Sequence, residues 1–161
     1  MLIILLASVS CTSEFDRNKF VQAEHFAQEI QRSITAGAEY RQFSQLVNQL
    51  SSELTGLKTK AKSEKEKELL KDYSDLLDMY KDGLLLLKYR MEFSSHSFVP
   101  KGLIYVGQDI EPIVEKYKLE TKDHIFQPTS QAWKSIPEGS VNAVWFNAGV
   151  QFRRINHFSK E

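Results

Sequence analysis

The sequence predicts an all-α fold: a long antiparallel helical hairpin, closed by shorter C-terminal helices into a bundle. Three observations carry that expectation. Apolar residues recur at alternating steps of three and four up to Phe93 and again after Ser140, the spacing that lines one face of a helix. All four prolines, Pro100, Pro112, Pro128 and Pro137, stand at or beyond residue 100, so the first half lacks the residue most disruptive to helices. Between the long apolar stripes lies a mixed-charge stretch, 58–72, that has almost nothing to bury and must be solvated.

The 161 residues suffice for one domain with its own core. The predicted organisation is a leader over 1–10 and a single helical domain over 11–161. Within the domain, long helices are expected over 12–60 and 63–93, irregular chain with short helices over 94–139, and a C-terminal helix over 140–158. Ser13, with Asp16 three residues on, is placed to cap the first helix. Phe20, Ala23, Ala27, Ile30 and Ile34 then line one face. A second stripe runs Tyr40, Phe43, Val47, Leu50, Leu54 and Leu57, out of phase with the first. Gly37 lies between them, and the phase shift predicts a kink or break there, since glycine weakens a helix interior. Ser63 and Glu66 have the capping-box spacing and should start the next helix. That helix presents Leu69, Tyr73, Leu76, Tyr80, Leu84, Leu87 and Met91. The short polar turn before it predicts antiparallel packing against the second stripe.

From Ser94 the pattern weakens. Leu103 to Val106 has strand-forming residues but no evident partner strand, and is read as an extended connector or the start of a helix. Ile110, Ile113, Val114 and Tyr117 predict a short helix, with Asp109 as its cap and Pro112 tolerated in its first turn. Pro128 to Ser135 is read as another turn or two around Trp133. Ser140 is placed to cap the last helix, whose stripe is Val141, Val144, Trp145, Ala148, Phe152, Ile155 and Phe158.

Ahead of the helices, Leu2 to Val9 form an unbroken run of apolar and small residues that ends at Ser10 and Cys11, the only cysteine. A membrane-spanning helix needs about 20 apolar residues, so this shorter run reads as the apolar core of an export signal. Ser8-Val9-Ser10-Cys11 resembles the cleavage region of bacterial lipoproteins, where a small residue precedes the cysteine that is acylated and becomes the mature N-terminus. The resemblance implies that Cys11 is lipidated, that the chain is exported to a bacterial cell envelope, and that its anchor makes the membrane a partner. The same residues also suit ordinary signal cleavage, with Ser8 and Ser10 in a small-x-small pattern, giving a periplasmic or secreted protein with a free Cys11. An uncleaved helical tail packed on the domain is the third reading. A lone cysteine offers no disulfide within the chain.

The chemistry-bearing residues form no catalytic pattern. Basic and acidic residues balance at 21 each, which gives no electrostatic case for nucleic acid. His25, His96, His124 and His157 are scattered; His25 and Glu29, one turn apart, read as a surface pair. No metal and no cofactor is implied. There is no Gly-x-Ser-x-Gly. Gly107-Gln108-Asp109 lacks the spacing of a phosphate loop and reads as a turn and helix cap. Asp75, Asp78 and Asp82 share a helical face and mark its solvated side. Arg153 and Arg154 suit the negative end of the last helix. Most aromatic rings fall in the core stripes, and buried tyrosine hydroxyls need partners. Tyr105, Trp133 and Trp145 are the residues singled out as a ligand-binding set between the hairpin and the C-terminal helices.

The spacing of Gly37 with Tyr40 and of Tyr80 with Asp82 is similar to that in uncharacterised exported bacterial helical proteins, a resemblance that implies no activity. The sequence thus points to a non-enzymatic envelope lipoprotein with a structural role or a protein partner, the alternative being a soluble exported ligand-binding bundle.

Overall fold

The computed structural model describes residues 14–93, 99–126 and 128–158; the leader, Cys11 and Ser13 lie outside the described residues. The chain enters through a 3₁₀ turn, Arg17–Phe20, whose first N–H groups are capped by Asp16 itself: its carboxylate accepts from the Asn18 N–H at 3.0 Å. The helix expected over 12–60 is in fact two, α1 (Val21–Ala36) and α2 (Tyr40–Leu57). Gly37, at φ 105°, ends α1 in the left-handed conformation that only glycine adopts freely. Its N–H donates to the Ile34 carbonyl at 3.2 Å, and the Ala38 N–H to the Ser33 carbonyl at 2.7 Å, closing the free end of the helix.

The capping box forms as its spacing predicts. The Glu66 N–H donates to Ser63 Oγ at 3.2 Å and the Ser63 N–H returns to Glu66 Oε2 at 3.1 Å, which starts α3 (Glu64–Phe93). At 30 residues, α3 is the spine of the molecule. It packs against α2 on one side and α5 (Val141–Phe158) on the other, while α1 lies on α2 and touches α5. The side chains sealed between these four helices include Ile30, Phe43, Leu50, Leu76 and Tyr80, all fully buried. Polar ties cross the same faces. The Gln31 amide donates to the Tyr80 hydroxyl at 2.8 Å, and the Gln151 amide to the Asp72 carbonyl at 3.2 Å.

The C-terminal half corrects the all-α expectation: the fold is mostly helical but carries a three-stranded antiparallel sheet in the order β1-β3-β2. Leu103–Val106, read from sequence as a connector or helix start, is strand β1. Its partner is β3 (Gln131–Pro137), in the stretch expected to form turns around Trp133; Ile104 faces Ile136 and Tyr105 faces Ser135 in the register. Strand β2 (Lys122–Phe126) lies on the other side of β3, with His124 opposite Trp133 and Phe126 opposite Gln131. Between β1 and β2 runs α4 (Glu111–Tyr117), with Pro112 in its first turn as predicted. Its capping position belongs to Ile110 rather than Asp109, and no side chain caps it. Asp82 holds α4 to the spine, its Oδ2 accepting from Lys116 Nζ at 2.7 Å and from the Tyr117 hydroxyl at 2.9 Å. Burial first, and then this carboxylate, push the Tyr117 hydroxyl well above its ordinary pKa. Before α5, Ser140 closes a 3₁₀ turn, Glu138–Ser140, instead of acting as a simple cap.

Candidate functional site

The sheet meets the C-terminal end of α3, and ring stacking dominates there. Tyr89 and Phe93, one turn apart on α3, have centroids 5.3 Å apart; Phe93 lies 5.1 Å from Tyr105 on β1, and Tyr105 lies 6.0 Å from Trp133 on β3. Trp133 stacks in turn on the His124 ring of β2, at 4.1 Å and 17° between planes. Tyr105, Trp133, His124 and Phe126 are neighbours because alternate residues of paired strands share one face of a sheet. Phe93, Tyr105, Phe126, Gln131 and Trp133 line a cleft of about 410 Å³. A larger concavity of about 580 Å³, at the α1–α2 junction, is flanked by Glu29, Arg32, Glu39 and Arg90 and offers one ring, Tyr40.

Polar contacts fix the rings. Trp133 is backed by His124, and the His124 Nε2 is 2.8 Å from Ser135 Oγ. Ser135 is fully buried, so its hydroxyl orients the imidazole and is not offered to a substrate. At the other end, the Tyr89 hydroxyl donates to Asp109 Oδ2 at 3.2 Å, the role Asp109 takes in place of helix capping. Burial, and then the Asp109 carboxylate, raise the Tyr89 pKa and keep the hydroxyl a donor. Gly107 admits this arrangement, since a Cβ there would lie 3.2 Å from the Tyr105 ring and 3.3 Å from the Tyr89 hydroxyl. Four of the five cleft-lining side chains are aromatic, and the fifth, Gln131, is an amide.

Of the three rings singled out from sequence, the structure brings together Tyr105 and Trp133 and places Trp145 elsewhere. Trp145 packs in the helical core, 5.0 Å from Phe43 and against Gly83. Phe93, His124, Phe126 and Gln131 escaped the sequence reading. The missed signal was a hairpin: two short runs, His124-Ile125-Phe126 and Ala132-Trp133, bracket Pro128-Thr129-Ser130. That turn closes with the Thr129 N–H on the Phe126 carbonyl at 3.2 Å and Ser130 at φ 54°.

The acids that share a face of α3 are each engaged separately: Asp75 with Lys71, Asp78 with Lys81, Asp82 with Lys116. Glu29 pairs with Arg32 rather than His25. Among the described residues, no group of three or more His, Cys, Asp or Glu is arranged to hold a metal ion, and no helix is long and apolar enough to cross a membrane. No known protein family, curated protein or solved structure matches the chain.

Proposed function

We propose that the protein is a non-enzymatic binding module of the bacterial cell envelope, tethered through acylated Cys11, whose cleft takes up an apolar or aromatic group of its ligand. The observation that supports this reading best is the continuous run of rings from Tyr89 to His124 around a cleft of about 410 Å³. Clefts that bind small molecules are typically lined by apolar and aromatic side chains with a few placed polar groups. Here the rings supply stacking area, and Gln131 a hydrogen-bonding edge.

Titration with anilinonaphthalene sulfonate, an aromatic probe that fluoresces when desolvated, tests the cleft. Trp133→Ala is expected to weaken probe binding about tenfold, the loss of one large stacking face. Equal binding by the variant and the parent, with unchanged circular dichroism, would remove the cleft as the site. The tether is tested separately. Cys11→Ala is expected to shift the protein from the membrane to the soluble fraction, and undiminished membrane association would overturn that part of the reading.

A further inference from the structure

We infer that the lysine-rich turn between α2 and α3 is a docking surface for anionic phospholipid headgroups, which seats the bundle on its membrane and points the aromatic cleft away from it. The inference rests on the tether at Cys11 and adds an orientation to it.

The first observation is where the chain enters the domain. The Asp16 N–H donates to Glu66 Oε1 at 3.1 Å and Lys19 Nζ to the same oxygen at 2.6 Å. Phe20, fully buried, stacks on Tyr73 at 6.1 Å. The chain from Asp16 to Phe20 is therefore pinned to the start of α3. Asp16 is five residue steps from Cys11, and even a fully extended chain covers at most about 18 Å in that many. A lipid on Cys11 must hold the α2–α3 turn close to the bilayer, whatever path the connecting residues take.

Charge supplies the second observation. Lys58, Lys60, Lys62 and Lys65 are all exposed and none is in an ion pair among the described residues; Lys101, Lys118, Lys122 and Lys134 are likewise exposed and outside ion pairs but are spread over the sheet half, whereas these four fall within eight consecutive residues. Of the acids between 58 and 68, Glu64 is paired with Lys67 and Glu66 is buried against Lys19, leaving Glu68 alone outside a pair. A chain with no net charge thus presents four unmatched ammonium groups where its tether emerges. Lysines near an anionic bilayer each gain attraction that falls off within a Debye length, about 8 Å at physiological salt, and a short tether keeps them within range. At about 1.5 Å per residue, α3 carries Phe93 and the cleft about 45 Å from this turn, so the two ends have separate tasks.

The full-length acylated protein, placed on vesicles of pure phosphatidylcholine and on vesicles containing phosphatidylglycerol, tests the orientation. Trace labelling with uncharged acetic anhydride, read by peptide mass spectrometry, reports each lysine. Lys58, Lys60, Lys62 and Lys65 are expected to react about fivefold more slowly on the anionic vesicles and to regain their rate in high salt. Lys122 and Lys134, on the strands of the cleft, should react alike on both. Equal rates for the turn lysines on the two surfaces, with the protein floating with both, would overturn the docking and leave the tether intact. Failure to float with phosphatidylcholine vesicles would instead overturn the tether, and the orientation with it.

Discussion

Gly83→Ala is expected to destabilise the bundle by about 2 kcal/mol, although glycine to alanine inside a helix ordinarily stabilises it by up to about 1 kcal/mol. The reversal comes from Trp145. A Cβ on Gly83 would lie 2.0 Å from Trp145 Cη2 and 2.1 Å from Cζ3, distances no packed structure tolerates. The indole has little room to slide, because the fully buried Phe43 of α2 lies 5.0 Å from it, ring to ring, and is itself held edge-on against Tyr80. It must rotate out and leave a void behind. Three further variants isolate that cause. In a Trp145→Ala background the same Gly83→Ala should stabilise, since the clash is gone and the helix preference remains. Gly56→Ala, at an exposed glycine of α2 whose Cβ would meet nothing within 4 Å, should stabilise without any background change. Urea unfolding of the parent, the two single variants at Gly83 and Trp145, their double variant and Gly56→Ala decides the matter; additive effects at Gly83 and Trp145 would show that the contact is not the reason for the glycine.

Gly83 also shows how far the sequence could be read. The spacing that predicts α3 runs Leu69, Tyr73, Leu76 and Tyr80, and the next position on that face is residue 83, not the leucine at 84. The stripe reads as interrupted only because its fifth member, Gly83, is a hole filled from α5 by Trp145. That is why Trp145 belongs to the core and not to the ligand-binding set: its neighbours Val144 and Ala148 are fully buried, and its partner is a residue with no side chain. Helices were legible because their signals are local, as at Ser63 with Glu66 and at Gly37. Sheet pairing is not local. Ile104 finds Ile136 across an intervening helix and strand, and β2 is exposed at four of its five residues, so it lacks the alternation that marks a half-buried strand. Two of the five cleft residues, Tyr105 and Trp133, are visible in the sequence because large rings outside helical stripes attract notice. Phe126 and Gln131 depend on a hairpin register that sets them opposite one another, and His124 beside Trp133.

Replacing Glu66 with glutamine is expected to remove about 3 kcal/mol at neutral pH and to flatten the acid limb of the stability curve. Glu66 is fully buried, yet its carboxylate takes Lys19 Nζ and the N–H groups of Asp16, Lys62 and Ser63, the last two at 2.7 and 3.1 Å. The Lys19 ammonium lowers its pKa most; burial opposes this, and the three N–H groups add to it, so the value falls from an ordinary 4.5 to about 2. The folded state thus binds this proton less readily than the unfolded chain. The stability the carboxylate contributes is complete above about pH 5 and drains away as pH falls from 4.5 towards 2. Glutamine has the shape but turns an amide NH₂ towards donors that need an acceptor, and it carries no charge for Lys19. Urea unfolding at pH 7, 5, 4 and 3 should give parent and variant curves that differ most at pH 7 and converge on acidification. Parallel curves across that range would mean that Glu66 holds the turn without its charge. Convergence, by contrast, would identify one carboxylate as the group that joins the entering chain, the α2–α3 turn and the spine.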